Sequence, residues 1–233
     1  MPPAGSALEL RHELDERLAD ARTRTDEIFR ILKPEALYDR PIAERHRLIF
    51  YLGHVEVFDW NLIGRGACER PSFNEAYDKL FAFGIDPVDG RLPADQPSDW
   101  PTVAEIHGYN ARLRGEIDRI VREEDWSTRP LLADGLAFHV AIEHRLMHAE
   151  TLAYLLHQLP LARKRPVSGR PQPAAPSVTT RAIPIPAGRA TLGTVAQRGR
   201  VRLGQRVRGT RRRRAGVRDR LASGDERRSS WTS

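Results

Sequence analysis

The residues best suited to chemistry in this sequence are histidines in apolar surroundings. His144 and His148 are four positions apart in a stretch that predicts a helix. Residues at that spacing lie one turn apart on the same helix face, so both imidazoles can reach one metal ion. Paired histidines that bind no metal occur at the same spacing, so the spacing alone leaves both interpretations open.

His54 is a third candidate, in an apolar segment of its own. A lone histidine there is usually a hydrogen-bonded core residue. If the fold turns His54 toward His144 and His148, three neutral nitrogens meet in an apolar box and leave further coordination positions open, as a catalytic metal needs. Tyr51 and Phe58, one turn on either side of His54, are candidates for the walls of that site, with plain core packing as the alternative.

The nearest carboxylates and the remaining histidines do not fit the same ion. Glu143 lies about 100° around a helix from His144, and Glu150 lies about 200° from His148. We therefore expect Glu143 to be solvated, and Glu150 to join an ion pair or support a ligand rather than bind the metal. The other five histidines lie off the metal face or lack a partner at useful spacing: His12, His46, His107, His139 and His157.

Composition restricts the class of protein and of site. Because Cys68 is the single cysteine, an intrachain disulfide and a multi-cysteine metal site are excluded, which leaves histidine and carboxylate ligands. No apolar run of about 20 residues and no signal-peptide pattern is present, so we expect a cytoplasmic protein with no membrane partner.

The net charge of +7 comes from residues 195–233, which contain 13 Arg and three acidic residues. Residues 1–194 carry a net charge of −3.

The elements that must position the histidines are helices. Apolar residues three or four apart predict helices over about residues 6–33, 41–62, 72–83, 102–121 and 131–159. Ser6 is the predicted cap of the first, and Thr102 with Glu105 forms a capping-box pattern. The segment from Gly84 to Pro101 predicts a loop. We therefore predict an all-α fold, an up-and-down four-helix bundle with a long central connection.

Four regions follow one another along the chain. Residues 1–162 form the predicted bundle, and residues 163–182 have the Pro, Arg, Gly and Ser content of a linker. Residues 183–194 regain apolar character and predict the first strand of a further domain. Residues 195–233 contain no Phe, Tyr or Ile and cannot bury enough apolar surface to offset the entropy lost on ordering, so we predict a disordered tail.

Two motifs give the bundle a family resemblance. Leu52-Gly53-His54 on an early helix, and residues 143–151 on the last, resemble the metal-binding motifs of the DinB-like domain in ergothioneine-type non-heme iron sulfoxide synthases. The resemblance covers about residues 8–162. It implies that His54, His144 and His148 form a facial site for iron(II), with another divalent metal as the alternative. It also implies the reaction of the intact parent enzyme, an oxygen-dependent joining of a thiol to a histidine derivative that forms a sulfoxide.

The Arg-rich tail is compatible with a shifted reading frame. If the coding frame of residues 201–217 slides forward by one base, the genetic code permits Phe-Gly-Trp-Asp-Asn-Glu-Phe followed by Ala-Glu-His-Asp-Val-Asp-Val-Pro-Ala-Phe. These strings, together with residues 185–193, resemble the start of the formylglycine-generating-enzyme-like domain that follows the bundle in sulfoxide synthases. We therefore interpret the tail as the product of a frameshift near residue 195 that removes this domain, and we expect a truncated chain with little or no synthase activity.

Two other functions stay open from the sequence. One is a stand-alone DinB-like protein, a metal-dependent thiol transferase or isomerase that needs neither dioxygen nor residues 163–233. The other is a non-enzymatic bundle whose basic tail binds nucleic acid with an affinity that falls as salt rises. The frameshift interpretation makes such binding adventitious. No feature of the sequence decides whether the bundle dimerises.

Overall fold

The computed structural model describes residues 4–84 and 93–166, together with the backbone of residues 182–185, 188–192, 210–214 and 217–220. Within these ranges, side chains are described from residue 8 to residue 166. The chain divides into two units, a helical unit that contains the first two ranges and a second unit that contains four short strands. Most of the predicted linker lies outside the described residues.

Five α-helices make up the described part of the helical unit, which confirms the predicted all-α bundle. They are α1 (Ala4–Ile31), α2 (Leu48–Asp59), α3 (Glu75–Phe83), α4 (Val103–Glu123) and α5 (Leu136–Gln158). Short 3-10 segments cover Pro34–Tyr38, Pro97–Asp99, Trp126–Thr128 and Leu161–Arg163. Among the described residues, no helix combines the length and the apolar character that crossing a membrane requires.

The ends of α4 and α1 show one successful and one failed local prediction. Thr102 caps α4 as predicted: its hydroxyl accepts from the backbone N–H of Glu105 at 3.3 Å, and its own N–H donates to the Glu105 carboxylate at 2.8 Å. This reciprocal pair satisfies two N–H groups that the first helical turn leaves open. The predicted cap Ser6 is wrong, because α1 begins at Ala4 and Ser6 lies inside it.

The starts of α2 and α5 also differ from the predicted ones. α2 begins at Leu48 rather than near residue 41, because residues 41–45 form bends and turns. α5 begins at Leu136 rather than near residue 131, directly after Gly135, which has a φ of +67°. A Cβ at Gly135 would lie 2.3 Å from Cδ1 of Leu14 on α1. Glycine therefore permits both the left-handed backbone and the close approach of the two helices.

The helix α2 is the centre of the bundle. It packs against α3, α4 and α5, and eleven of its twelve residues are buried. A helix that is apolar around most of its circumference is stable only when neighbours cover all of its faces. α5 packs along both α1 and α2. The two helices that carry the candidate metal ligands are therefore direct neighbours.

A π-helical segment, Trp60–Ala67, continues α2. The helical path thus extends beyond Leu62, where the sequence predicts an end before two glycines. Trp60 is fully buried, and a Cβ at Gly64 would lie 2.2 Å from its indole ring. Gly64 therefore leaves the space that the indole fills, and it does so inside the helix instead of ending it.

Four strands pair in two antiparallel ladders in the second unit. β1 (Ala182–Ile185) pairs with β4 (Val217–Arg220), and β2 (Gly188–Leu192) pairs with β3 (Thr210–Arg214). β1 and β2 agree with the predicted strand character of residues 183–194. β3 and β4 lie within residues 195–233, for which the sequence predicts disorder. Backbone N–H and C=O groups can pair in a ladder whatever their side chains are. The rest of residues 195–233 lies outside the described residues, and for it disorder and the frameshift stay predictions.

Candidate metal centre

Three histidines from two helices meet inside the bundle. His54 lies in the middle of α2, and His144 and His148 lie one turn apart on α5. The Nε2 atom of His54 is 3.2 Å from that of His144 and 3.0 Å from that of His148, and the latter two are 3.1 Å apart. The structure thus brings together the three residues that the sequence singles out as metal ligands, in an arrangement that could hold one ion.

A backbone contact fixes the orientation of the His54 ring. Its Nδ1 atom lies 2.6 Å from the carbonyl oxygen of Phe81 on α3. Because a carbonyl oxygen only accepts hydrogen bonds, Nδ1–H is the donor, and the ring's lone pair lies on Nε2, which faces the other two histidines. The neighbouring residue Gly53 permits this contact, since a Cβ there would lie 2.3 Å from the Phe81 ring. The glycine of the Leu-Gly-His motif therefore lets α3 approach α2.

Burial keeps the three imidazoles neutral. His54 and His144 are 9% and 7% exposed, and His148 is partly buried. Removal from water, reinforced by the neighbouring imidazoles, lowers the pKa of His144 to about 2 and that of His148 to about 3. Burial also lowers the pKa of His54. At neutral pH each ring therefore keeps an unprotonated nitrogen, which is the form that binds a metal.

Aromatic rings surround the cluster. Phe58 stacks on His144 with ring centroids 3.4 Å apart, and Phe50 stacks on His54 at 4.7 Å. Tyr51 lies beside the third imidazole, with ring centroids 5.6 Å apart. Tyr51 and Phe58 thus occupy the wall positions expected from the sequence, and Phe50 is a wall residue that sequence reasoning missed. The apolar rings restrict both rotation of the imidazoles and access of water.

The spacing of the nitrogens fits a single metal ion. An ion equidistant from three nitrogens 3.0–3.2 Å apart would lie about 1.9–2.2 Å from each of them for angles between tetrahedral and right-angled. Metal–imidazole bonds of about 2.0–2.1 Å fall within that range. The three histidines therefore fit one metal ion, and their spacing does not select its coordination geometry.

A buried ion network beside the histidines was also missed. Arg145 on α5 donates to the carboxylates of Glu56 and Asp59 on α2, and Arg114 on α4 donates to Glu56 as well. Burial alone would raise the pKa of Glu56, but the two guanidinium groups hold it at about 2, so Glu56 is ionised. The available signal was the occurrence of Glu56 and Asp59 in an otherwise apolar helix, because charged residues are rarely buried without partners.

The other candidates of the sequence lie outside the cluster. Glu143 is exposed, as expected for a solvated carboxylate. Glu150 is also exposed and forms no ion pair with the residues that the structure describes. The five remaining histidines belong to no group of three potential ligands in the described part of the chain.

Comparison with known families agrees with this architecture. Residues 17–152, more than half of the chain, match the family model of the DinB superfamily. The chain belongs to the DinB superfamily. The matched range contains His54, His144 and His148, so the histidine cluster lies within the DinB-superfamily domain.

A curated relative of this DinB-superfamily chain is ergothioneine biosynthesis protein 1 of Neurospora crassa. The two proteins are 33% identical over 142 residues, which cover 55% of this chain and 15% of the relative. The chain thus spans a small part of the relative's length. The similarity therefore concerns a domain, and it does not by itself transfer the whole relative's activity.

Proposed function

We propose that this DinB-superfamily bundle binds iron(II) through His54, His144 and His148 as the metal-binding domain of an oxygen-dependent sulfoxide synthase. In ergothioneine-type biosynthesis, such an enzyme joins a thiol to a histidine derivative. The observation that carries the proposal is the meeting of three neutral Nε2 atoms within 3.2 Å of one another. The name of the Neurospora relative supports the biosynthetic assignment.

The choice of iron(II) rests on the resemblance of the histidine motifs to those of ergothioneine-type sulfoxide synthases, together with that relative. Imidazole ligands suit iron, zinc, copper and nickel, so the donor atoms alone do not select a metal. Bound at this site, iron(II) would supply dioxygen activation and open positions for a thiolate and an imidazole.

The chain's own residues prepare and shield the site. The hydrogen bond from His54 to the Phe81 carbonyl keeps the lone pair of Nε2 directed at the site, so no ring rotation is needed when an ion binds. Phe50 and Phe58 cover two of the rings. His148 is the most exposed of the three ligands, so we expect reactants to approach from its side of the cluster. We assign the three metal ligands to this chain, and we assign no further catalytic group to it.

Anaerobic titration of the full 233-residue chain with iron(II) tests the proposal. We expect one equivalent to bind, and His54→Ala, His144→Ala and His148→Ala each to weaken the affinity at least about tenfold, since loss of residues that only support a ligand already has that effect. His139→Ala and His157→Ala are matched controls, because both residues lie on α5 outside the cluster. Circular dichroism checks that every variant is folded.

Two results would contradict the proposal. If the wild type binds no iron(II), or if folded His54→Ala binds it as tightly as the wild type, the three histidines are packing residues. If the metal-loaded chain transfers a thiol without dioxygen, the stand-alone thiol transferase or isomerase becomes the better assignment.

A further inference from the structure

A buried arginine joins the two helices that carry the histidines. The side chain of Arg145 on α5 is 0% exposed. Its guanidinium donates to both carboxylate oxygens of Glu56 on α2, at 2.8 and 2.9 Å, and to the Asp59 carboxylate at 2.5 Å. It also donates to the backbone carbonyl oxygen of Val55 at 2.9 Å. One side chain of α5 therefore contacts three successive points along α2.

These contacts are adjacent in sequence to the proposed metal ligands on both helices. Arg145 directly follows His144, and Val55 and Glu56 directly follow His54. Neighbouring residues of a helix point about 100° apart, so the arginine contacts lie beside the histidine cluster and occupy no coordination position. They fix the stretches of backbone from which the ligands extend.

Stability alone explains this network poorly. Charged groups lose much hydration free energy on burial, and an apolar set of similar volume is often equally stable or more stable. The network is also incompletely satisfied, because Nε of Arg145 and Oδ1 of Asp59 are buried without a hydrogen-bond partner among the described residues. What the network adds is a restricted orientation of α5 relative to α2. A planar guanidinium meets a carboxylate in a restricted set of orientations, whereas apolar contacts between helices restrict rotation and sliding less.

The histidine cluster requires a defined orientation of α5 relative to α2. Its three Nε2 atoms meet within 3.2 Å although they come from two helices. The atoms of a functional site must stay within about 0.5 Å of their productive positions. A slide of α5 along α2 by more than that would separate His54 from the other two rings. We infer that Arg145 is a positioning residue, which fixes the register and rotation of α5 against α2 so that His54 meets His144 and His148. Its value for function rests on the proposed metal binding, whereas the geometry that it sets exists without a metal.

The test removes the charges while keeping the volume. In the apolar variant Glu56→Met/Asp59→Leu/Arg145→Met, no unpaired charge is left from the arginine contacts, and Arg114 keeps its bidentate pair with Asp26. The matched control is Arg40→Met/Arg47→Met/Asp95→Leu. It removes another three-charge network, with a buried carboxylate and two partly buried arginines, that involves no residue of α5.

Two measurements separate positioning from folding. Cobalt(II) titration of the full chain, followed by its visible absorption, reports affinity and ligand geometry. The ring ¹⁵N resonances of the metal-free protein report the tautomers and surroundings of the three histidines. We expect the apolar variant to be folded, to bind cobalt(II) at least about tenfold more weakly with an altered spectrum, and to show shifted resonances. We expect the control variant to match the wild type in both readouts.

Each outcome decides the inference. Unchanged affinity and unchanged ring resonances in the folded apolar variant would overturn it. If the wild type binds neither cobalt(II) nor, in the titration above, iron(II), the proposed function fails, and the ring resonances of the metal-free protein alone then test the positioning role. If the apolar variant does not fold, Arg145→Lys replaces it, because a single ammonium cannot reach all three partners of the guanidinium at once. Arg145→Lys with wild-type affinity and resonances would also overturn the inference.

Discussion

Gly53 illustrates how the absence of a side chain can serve a site. The residue contributes no ligand, yet it lies on the face of α2 that packs against α3, where a Cβ would be 2.3 Å from the Phe81 ring. The Phe81 carbonyl is the acceptor for Nδ1–H of His54. Close approach of α3 to α2 and the orientation of a proposed ligand are therefore coupled through one glycine.

This coupling predicts two effects of Gly53→Ala. The added methyl group must push Phe81 away, which we expect to lower the free energy of unfolding by about 1–3 kcal/mol, the usual range for overpacking. It should also weaken iron(II) binding, because the Phe81 carbonyl moves away from His54. Urea unfolding and metal titration measure the two effects.

Gly108→Ala on α4 is the matched control for Gly53→Ala. A Cβ at Gly108 meets nothing within 4 Å. Alanine in place of glycine in an open helix interior stabilises by roughly 0.5–1 kcal/mol. We therefore expect the two substitutions to change stability in opposite directions. Equal stability and equal metal affinity of the two variants would show that Gly53 has no special role.

At the scale of elements, the sequence predicts what is local. The capping box at Thr102 and the pairing of His144 with His148 are correct because each depends on residues within one or two turns. The predicted start of α2 near residue 41 and its predicted end before Gly64 are wrong. At Gly64, packing of the backbone against the Trp60 indole overrides the local signal of the glycine. The apolar character of the second helix is visible in the sequence, and the structure shows that this helix is central.

The candidate site divides in the same way. The motif resemblance identifies His54 as the third residue of the cluster, which no spacing rule could do, since it lies 90 residues from His144. The Phe81 carbonyl has no local signature, and for the Arg145 network the local signal is limited to Glu56 and Asp59 in an otherwise apolar helix. Both depend on how α2 packs against helices that are distant in sequence, α3 for the Phe81 carbonyl and α5 for Arg145. Such contacts form only when the helices pack.

The capping box of α4 gives a prediction at this scale. Thr102→Ala removes the hydroxyl that accepts from the Glu105 N–H, and we expect a loss of about 1 kcal/mol in the free energy of unfolding. Thr23→Ala is the control, because Thr23 is exposed inside α1 and its hydroxyl donates to the Ala19 carbonyl of the same helix. Alanine has the higher helix propensity, so this control should be neutral or slightly stabilising. Similar losses in both variants would contradict the capping role.

At the scale of the whole molecule, the long connection between α3 and α4 is anchored at its described end by one buried carboxylate. The Asp95 side chain is 0% exposed and accepts hydrogen bonds from Arg40, from Arg47 at 2.8 Å and from Trp100 at 2.7 Å. Burial alone would raise the pKa of Asp95, but the Trp100 and Arg47 hydrogen bonds and the Arg40 charge hold it below its usual range. The connection is thereby tied to the residues that precede α2.

The lowered pKa of Asp95 predicts a pH dependence of stability. A carboxyl group whose pKa is lower in the folded than in the unfolded chain stabilises fully above its unfolded pKa of about 3.9 and loses this contribution as pH falls through the folded value. Asp95→Asn should therefore lower the free energy of unfolding by about 3 kcal/mol at pH 7, because it leaves two partly buried guanidinium groups without their carboxylate. Below about pH 4 the difference from the wild type should shrink.

Asp20→Asn is the control: Asp20 is 60% exposed and paired with Arg24, and its loss should change the free energy of unfolding by less than about 0.5 kcal/mol. Urea unfolding between pH 3 and 7 measures both. A deficit in Asp95→Asn that is small at pH 7, or that stays constant down to pH 3, would mean that the connection is held by its apolar contacts and not by this carboxylate.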